Sequence, residues 1–486
     1  MVKLGSLENL RGGGWDMSQL WTFDTVILGA GGGGYPAAFR LAKNGHRVLL
    51  VDDKGNLGGH CMFEGCIPSK TVREASQLVR MSQRDAVAGV SLSLRNVAIP
   101  SVWQSVRAFK DGVQTRRYAQ HAEEIEETAN LTMVKGRGKL LNPNEVEVTD
   151  TIRGKVFKAE FHFLIIATGS SARMLPIPGG ESTWTSHQFF AWLESVPELP
   201  KSLILIGGGY IGVEMAMMLD AFGVKTTILE AMPTVLPQMD SEIQKELALA
   251  LQNVATVVTH AKVTQIDSRD GEKWVQVESN QGPRLYRAQQ VVTAVGRIPN
   301  VSKELGLDNA GVIHDNHGIH VAPSMRTSQA HIYATGDVNG LIMLFHAAVR
   351  MSEVAAANIL THPEVADEFD PVEIPTTVFS TPEAHSVGLT LAQAEQRGLR
   401  AHEVRRAMGV EARAQIAEEQ RGFFKMVVEN DTHRVLGVHA VGVDAAVMSA
   451  LSHVIVQRKL TVQDVAHMTF PHPTQFEIFD RLARNE

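Results

Sequence analysis

Residues 24–52 read "DTVILGAGGGGYPAAFRLAKNGHRVLLVD", and this stretch decides the fold. A predicted apolar strand, 25–28, meets three spaced glycines; a helix follows, and a second predicted strand, 47–51, precedes an acidic residue. In such a unit the glycines allow a tight turn, a close approach to a pyrophosphate and close helix packing, while the acid accepts hydrogen bonds from ribose hydroxyls. The residues concerned are Gly29, Gly31, Gly34 and Asp52.

A second copy of the same pattern occupies residues 202–230, "SLILIGGGYIGVEMAMMLDAFGVKTTILE". In both copies the acid follows the first glycine by 23 positions, from 29 to 52 and from 207 to 230. A lone glycine pattern is weak, but two copies flanked by strand, helix and strand are specific. We therefore predict an α/β fold with two Rossmann-like dinucleotide-binding domains. The second set of residues is Gly207, Gly209, Gly212 and Glu230.

The acid of the second copy favours one nicotinamide nucleotide over the other. Glu230 is followed by Ala231, Met232 and Pro233, with no arginine nearby. A carboxylate there repels the 2′-phosphate of NADP, and no guanidinium is placed to bind that phosphate. We therefore expect NAD as the second nucleotide.

Three further stretches predict strands that end in small residues. They are "LIIATGS" (164–170), "VVTAVGRIPN" (291–300) and "HIYATGDVNG" (331–340). A terminal glycine lets backbone come close to a ligand. Asp337, just after the third of these strands, is predicted to contact a polar part of that ligand.

Both cysteines of the chain lie in "GGHCMFEGCIPSK", residues 58–70. On an ideal helix, Cα atoms five residues apart are about 8.7 Å apart, and a disulfide tolerates at most about 7 Å. The segment must therefore be distorted, and Gly65 supplies the freedom. Pro68 fits the first turn of a following helix, so Cys66 is predicted at a helix N-terminus, which favours a thiolate.

Three roles for Cys61 and Cys66 have to be compared: a structural staple, half of a metal site, or a redox pair. The loop between them is too small to stabilise the fold much, and no second cysteine pair or histidine cluster completes a metal site. We expect no metal and favour the redox role. A dithiol does not readily take hydride from nicotinamide, so a flavin is needed between the dithiol and the nicotinamide. We therefore assign FAD to the first glycine pattern and NAD to the second.

Composition excludes several other classes of protein. A length of 486 residues predicts about three domains. The formal net charge of −7 argues against a nucleic-acid partner. There is no apolar run of the roughly 18 residues that a membrane span needs, and residues 1–22 read as a flexible extension, not a secretory signal. We expect a cytoplasmic protein.

From about residue 23 to its end, the chain resembles the pyridine-nucleotide disulfide oxidoreductases, most closely their dihydrolipoamide dehydrogenase branch. The motifs that carry the resemblance are "GAGGGGYPAA", "GGHCMFEGCIPSK", "GGGYIGVE", "AVGRIPN", "ATGD" and "HPTQFE". The resemblance implies an FAD domain split around an NAD domain, then a C-terminal α+β dimerisation domain. The expected boundaries are 23–170 with 298–369, then 171–297, then 370–486.

The resemblance also implies catalytic roles. Cys61 looks like the thiol that exchanges with substrate, and Cys66 like the thiolate beside the flavin. Lys70 resembles the lysine near the flavin ring that pairs with a glutamate, here Glu214.

A second pair near the end of the chain, His472 and Glu477, matches the family's His–Glu pair. An imidazole titrates in the right range to take a proton from a dithiol and return it, and a carboxylate orients it. In the family this histidine reaches the cysteines of the partner subunit, which implies a homodimer.

Cofactor residues follow from the same resemblance. For FAD they are Gly29, Gly31, Gly34, Asp52, Lys70, Gly138, Thr168, Gly169, Gly336, Asp337 and Phe345. For NAD they are Gly207, Gly209, Gly212, Glu230, Val263 and Gly296.

The implied reaction is the oxidation of a protein-bound dihydrolipoyl group, with NAD reduced to NADH. The expected partner is a lipoyl-carrying protein, either a 2-oxoacid dehydrogenase complex or a specialised lipoate-binding protein. Two alternatives stay open: an NAD(P)H-dependent reductase of a small disulfide such as glutathione, and a flavoprotein scaffold without dithiol turnover.

Several residues depart from the family pattern. His60 stands where threonine is usual, Phe63 and Glu64 replace Asn-Val, and Phe345 and Phe476 replace small residues. A carboxylate at Glu64 that points at the disulfide would disfavour thiolates. The alternative is a solvated Glu64.

Overall fold

The computed structural model describes residues 20–83 and 99–486. Residues 1–19 of the predicted extension lie outside this part of the chain, and its last two residues belong to the first strand. The first segment has this element order: β1 (Trp21–Leu28), α1 (Tyr35–Lys43), β2 (Val48–Asp52), α2 (Gly59–Phe63), α3 (Cys66–Gln83), α4 (Ile99–Glu127), β3 (Leu131–Asn142), β4 (Glu145–Asp150), β5 (Lys155–Ile166) and β6 (Ser170–Ala172).

The second segment contains the second glycine pattern and a small antiparallel sheet. Its elements are α5 (Ser186–Phe190), β7 (Ser202–Ile206), α6 (Tyr210–Asp220), β8 (Lys225–Leu229), α7 (Ser241–Leu251), β9 (Ala255–Val258), β10 (Lys262–Arg269), β11 (Glu272–Glu278), β12 (Arg284–Ala288), β13 (Gln290–Thr293) and β14 (Arg297–Pro299).

A short third segment returns to the first sheet, and a fourth forms the C-terminal part of the molecule. The third comprises β15 (His314–Asp315), β16 (Gly318–Ile319), β17 (Ile332–Ala334) and α8 (Phe345–Leu360). The fourth comprises β18 (Thr376–Val378), β19 (Glu383–Gly388), α9 (Leu391–Gln396), β20 (Ala401–Ala407), α10 (Ala412–Ile416), β21 (Phe423–Glu429), β22 (Val435–Gly442), α11 (Ala445–Gln457), α12 (Val462–Ala466) and α13 (Glu477–Ala483).

The first sheet has a parallel core in the order β3-β2-β1-β5-β17. The C-terminal half of β3 and the N-terminal half of β5 pair with β4 in an antiparallel meander. Strand β2 is buried along its whole length, as expected for a parallel strand covered on both faces. Helices α1 and α8 pack together, and the backbone N–H of Ala37 donates to the hydroxyl of Ser352 at 2.9 Å.

The second sheet is parallel, in the order β13-β7-β8-β9, and the antiparallel sheet β10-β11-β12 lies beside it. Where the chain passes from the first sheet to the second and back, β6 pairs with β14 as a two-stranded antiparallel ribbon. The ribbon lies where the sequence predicts the boundaries between the FAD and NAD domains, since residues 170 and 298 are the expected limits of the FAD domain.

The C-terminal sheet is antiparallel, in the order β18-β19-β22-β21-β20. Strand β21 is buried on both faces. Phe423 packs in the hydrophobic cluster that contains α6 and α7, whereas Phe424 packs in the cluster that contains α11. One face of the C-terminal sheet therefore packs against the domain that contains α6 and α7, and the other face is covered by α11.

Both glycine patterns lie directly after the carboxyl ends of parallel strands, the position at which such sheets bind ligands. Gly29 and Gly207 have φ values of +107° and +111°, which only glycine adopts readily. A Cβ atom on Gly34 would lie 1.9 Å from the carbonyl oxygen of Gly29, and one on Gly212 would lie 2.0 Å from that of Gly207. The third glycine of each pattern is therefore required by close packing of the turn.

Candidate active site

The two cysteines lie on either side of a break between two helices. Helix α2 ends at Phe63 and α3 begins at Cys66. A Cβ atom on Gly65 would lie 2.9 Å from the carbonyl oxygen of His60. Glycine at this position lets the chain turn back on α2, which is the distortion that the cysteine spacing requires.

Cys61 and Cys66 are free thiols in the structure, and each changes the pKa of the other. The Cys61 thiol donates a hydrogen bond to Cys66, which, with the charge of Lys70, lowers the pKa of Cys66 to about 7. The same hydrogen bond, together with burial, raises the pKa of Cys61. The reduced pair therefore holds its negative charge on Cys66, the residue predicted to be the thiolate.

The predicted Lys70–Glu214 pair is present in the structure. The ammonium of Lys70, on α3, lies 2.6 Å from Glu214 Oε2, on α6. The backbone N–H of Phe379 donates to Glu214 Oε1 at 3.0 Å, and the Lys70 ammonium lies 4.6 Å from the centre of the Phe379 ring. Sequence patterns did not indicate Phe379, because its contact joins segments more than 160 residues apart.

The dithiol and the second glycine pattern open into one cavity of about 2010 Å³. Single ligand pockets typically measure about 300–1000 Å³, so this cavity has room for two ligands side by side. Its walls include both cysteines and Lys70 at one end, and Gly207, Gly209 and Glu230 at the other. Of the residues predicted for FAD, Lys70 and Phe345 line this cavity, whereas the first glycine pattern does not. The cavity therefore joins the dithiol to the second glycine pattern.

The first glycine pattern fits the pyrophosphate of a dinucleotide. A Cβ atom on Gly31 would meet the Cα atom of Gly59 at 3.9 Å, an ordinary van der Waals distance, so this turn lies directly against the cysteine-bearing segment. Asp52 is held by N–H groups of Ala30 and Lys54, each at 2.8 Å. Each carboxylate oxygen keeps a lone pair for a ribose hydroxyl.

The second glycine pattern repeats this arrangement. Glu230 accepts hydrogen bonds from the N–H groups of Gly208 at 2.5 Å and Met232 at 2.7 Å. A Cβ atom on Gly209 would meet no protein atom within 4 Å. The space left beside Gly209 suits a phosphate, as the pattern predicts. Val263 and Gly296 also line the cavity.

The remaining residues predicted for FAD are spread over the edge of the first sheet. Asp337 accepts a hydrogen bond from the Ser170 hydroxyl at 2.5 Å, and Thr168 donates to the carbonyl of Asn300 at 3.2 Å. Phe345 lines the cavity and packs over Gly32. Gly138 is not among the cavity-lining residues; it packs against Leu28. Gly169 and Gly336 take positive φ at the ends of their strands.

Glu64 takes neither of the orientations considered from the sequence. It is buried, and its two carboxylate oxygens contact Nδ1 of His60 and Nδ1 of His187. His187 lies on α5, 123 residues further along the chain, and no motif indicates it. Phe63 is also buried, among Tyr118 and Trp192, so this departure from the family pattern is a core contact.

His472 and Glu477 form the predicted pair at the start of α13. His472 Nδ1 lies 3.0 Å from both carboxylate oxygens of Glu477, and Thr474 N–H donates to the same carboxylate at 3.0 Å. These hydrogen bonds lower the pKa of Glu477. Arg481, one helical turn on, also contacts Glu477 and was missed, although an i, i+4 Glu–Arg spacing is a recognisable signal.

His472 is exposed and is not among the residues that line the cavity. Its ring is therefore not part of the cavity wall around the cysteines of its own subunit. Phe476 packs against Phe470 and Phe479.

No helix in residues 20–83 and 99–486 is long and apolar enough to cross a membrane. In the same described ranges, no group of three or more His, Cys, Asp or Glu side chains is arranged to hold a metal ion.

Comparison with known families gives two matches that together cover most of the chain. Residues 23–352 match the pyridine nucleotide-disulphide oxidoreductase family, and residues 374–483 match its dimerisation domain. Dihydrolipoyl dehydrogenase from Bacillus subtilis (strain 168) is 33% identical over 483 residues, covering 95% of this chain and 97% of the relative.

Two solved structures are similar over nearly the whole length. LpdA from Mycobacterium tuberculosis has a TM-score of 0.85 at 25% identity, covering 96% of this chain and 99% of that one. A Cu(II) complex of the HOCl-induced flavoprotein disulfide reductase RclA from Escherichia coli has a TM-score of 0.81 at 27% identity, with the same coverage of 96% and 99%.

Proposed function

This chain belongs to the pyridine nucleotide-disulphide oxidoreductase family, and from that membership we propose that it oxidises a protein-bound dihydrolipoyl group and reduces NAD to NADH. The family resemblance and the fold class expected from the sequence are confirmed. The chain is a flavoprotein disulfide oxidoreductase with a C-terminal dimerisation domain. The dihydrolipoyl substrate, NAD and the homodimer are part of the proposal.

The observation that carries the proposal is the position of Cys61 and Cys66 beside the Lys70–Glu214 pair, in the same cavity as Glu230. It supports a thiolate at Cys66, next to the Lys70 cation and in the same cavity as the proposed nucleotide site. FAD, when bound, supplies a carrier that accepts an electron pair from a thiolate and passes hydride to nicotinamide. The turn at Gly29 and the Asp52 carboxylate, which is held by the N–H groups of Ala30 and Lys54, support its binding to the first glycine pattern.

In the proposed reaction the oxidised protein starts with Cys61 and Cys66 joined. His472 of the partner subunit takes a proton from one dihydrolipoyl thiol. The resulting thiolate attacks Cys61, the Cys61–Cys66 bond breaks, and Cys66 leaves as a thiolate stabilised by Lys70. The second lipoyl thiol then attacks the lipoyl sulfur of the mixed disulfide. The bond to Cys61 breaks, Cys61 takes up the proton of that thiol, and oxidised lipoyl is released.

Three features of the chain support the choice of NAD and of the lipoyl substrate. Glu230 is fixed by two backbone N–H groups, so its carboxylate cannot turn away from a 2′-phosphate. Curated relatives named dihydrolipoyl dehydrogenase match along 95% of the chain. Intact Cys61, Cys66 and Lys70 argue against a scaffold that has lost turnover.

A reductase of a small disulfide is the second candidate. The observation that favours it is the similarity to RclA, a flavoprotein disulfide reductase, with a TM-score of 0.81. In that case electrons would flow from the nicotinamide nucleotide to the dithiol and on to the disulfide substrate.

Steady-state kinetics on the flavin-loaded protein separates these candidates. We expect kcat/KM for dihydrolipoamide with NAD to exceed that with NADP, and to exceed that for glutathione disulfide with either reduced nucleotide. Cys61→Ser should remove both disulfide activities and serves as the background. A higher kcat/KM for glutathione disulfide would replace the proposal with the second candidate.

A further inference from the structure

Glu64, His60 and His187 form a cluster in the cavity wall that the proposed reaction does not use. Glu64 is 9% exposed, whereas the side chains of His60 and His187 are 49% and 46% exposed. Each imidazole contacts one carboxylate oxygen through its Nδ1 atom. The buried acid therefore fixes two imidazole rings whose other nitrogen atoms face away from it.

His60 lies next to the first glycine pattern. The backbone N–H of Gly58 donates to the carbonyl of Ala30 at 2.8 Å. A Cβ atom on Gly59 would lie 3.0 Å from Cα of Gly31. Gly59, which precedes His60, therefore contacts Gly31, the glycine at which we expect the backbone to approach a pyrophosphate.

The charges that surround His60 come from three separate parts of the chain. Lys54 and Arg297 are the nearby cations, and Asp337 and Asp53 are the nearby acids. Burial, Arg297 and Lys54 together lower the pKa of His60. Without a ligand, burial and these two cations therefore favour the neutral form of the His60 ring.

The contact with Glu64 determines which nitrogen of His60 holds the proton. A carboxylate only accepts hydrogen bonds, so the proton of the neutral ring is on Nδ1. The free Nε2 atom then presents a lone pair, which repels a phosphate oxygen. Only the imidazolium, with a second N–H at Nε2, can donate to an anion there.

We propose that His60 takes up one proton when FAD binds, and that the imidazolium, held by Glu64, donates from Nε2 to the pyrophosphate of the dinucleotide. The two negative charges of the pyrophosphate favour the charged ring, and the Glu64 carboxylate compensates it from the other side. The inference rests on the proposed assignment of FAD to the first glycine pattern. Its consequence is that FAD binds more tightly as the pH falls.

Titration calorimetry on the apoprotein tests the inference. FAD is titrated at pH 7.5 in two buffers that differ in ionisation enthalpy, with Cys61 and Cys66 oxidised so that no thiol titrates. We expect proton uptake on binding, and a dissociation constant that rises up to about tenfold per pH unit while His60 changes state. His60→Gln, which donates without titrating, should bind FAD with no uptake and with an affinity that changes less than about twofold between pH 6.5 and 8.5.

His187→Gln is the matched control, because His187 contacts the same carboxylate but is not beside the glycine pattern. It should keep the proton uptake of the natural protein. FAD binding without proton uptake would overturn the inference and leave the proposed function standing, and so would uptake lost in His187→Gln but kept in His60→Gln. Absence of any FAD binding would overturn both.

Discussion

Lys70 acts on two groups through one ammonium. It pairs with Glu214 at 2.6 Å, and its charge helps to lower the pKa of Cys66. The backbone N–H of Phe379 fixes the other oxygen of Glu214. The ammonium is thus held in place by an acid that is itself held by backbone, and the thiolate depends on that arrangement.

Replacing Lys70 with Met removes this positive charge, and we expect the pKa of Cys66 to rise by about 1 or more. In the reduced protein the Cys66 thiolate is present above a pH of about 7 and is lost as the pH falls. In Lys70→Met it should be lost at a higher pH. The measurement is a pH titration of thiolate ultraviolet absorbance and of the long-wavelength charge-transfer band. Lys245→Met, at an exposed site on α7, is the control; an unchanged midpoint in Lys70→Met would contradict this role.

Single residues show what the sequence could and could not predict about the site. Lys70 with Glu214, and His472 with Glu477, were predicted as pairs because each belongs to a motif, and the structure brings each pair together. His187 was not predicted, because its partner Glu64 is far away in sequence. Hydrophobic pattern and motif spacing indicate that a residue is buried, but not which distant polar group it meets.

At the scale of elements, two glycines of the second pattern are required for different reasons. Gly212 packs tightly against Gly207, because an added Cβ would lie 2.0 Å from the carbonyl oxygen of Gly207. Gly209 faces open space. Helix α6 also carries Glu214, so a shift of this helix would reach Lys70 as well.

Gly209→Ala and Gly212→Ala should therefore fail in different ways. We expect Gly209→Ala to keep its stability but to weaken NAD binding by about tenfold or more, because the methyl group occupies space for the pyrophosphate. Gly212→Ala should lower the free energy of unfolding by about 1–3 kcal/mol through overpacking. Thermal unfolding and NAD titration of both variants check this. Equal loss of stability in the two variants would contradict the assignment.

Elements near the motifs were the best predicted part of the fold. The strands before Gly29, Gly207 and Gly169 all occur, because an apolar run that ends in glycine is a local signal. The pairing of β17 with β5 and the ribbon β6–β14 could not be derived from local pattern. They depend on contacts between segments that are more than 100 residues apart.

At the scale of the whole molecule, the buried side chain of Lys425 joins helix α7 to the C-terminal sheet. Lys425, on β21, lies 2.9 Å from Asp240 and Glu403 and 3.0 Å from Glu242. Asp240 caps the N-terminus of α7. Burial raises the pKa of Asp240, but the hydrogen bond from Lys425, the charges of His439 and Lys425 and the backbone N–H of Glu242 together lower it by more.

Lys425→Met would leave these acids facing each other without a cation. We expect a loss of about 3–5 kcal/mol in the free energy of unfolding at neutral pH. Because the pKa of Asp240 is depressed by the native contact, that contribution is present above the unfolded pKa and is lost as the pH falls. The difference between the variant and the natural protein should therefore shrink towards pH 4 in denaturant titrations. Lys459→Met, exposed after α11, is the control; a difference independent of pH would contradict the ionic account.

Catalysis across a subunit interface predicts complementation between two inactive variants. His472→Gln should lack dithiol turnover but keep NADH-driven reduction of artificial acceptors, and Cys61→Ser should lack dithiol turnover. If His472 serves the partner subunit, random re-association of the two variants gives heterodimers with one intact site each, or about a quarter of the natural activity. Re-associated mixtures are assayed with dihydrolipoamide. Activity no higher than that of the separate variants would show that each site uses its own His472.

The pairing of β17 with β5 has a consequence for the order in which the molecule is made. Strand β5 ends at Ile166 and its neighbour starts at Ile332. At ribosomal rates of about 5–20 residues per second, β5 waits roughly 10–30 s for that neighbour. During this interval the second sheet is synthesised, while one edge of β5 stays unpaired. An unpaired strand edge is where nascent chains pair wrongly, so the inserted segment sets the period in which this protein most needs protection by chaperones.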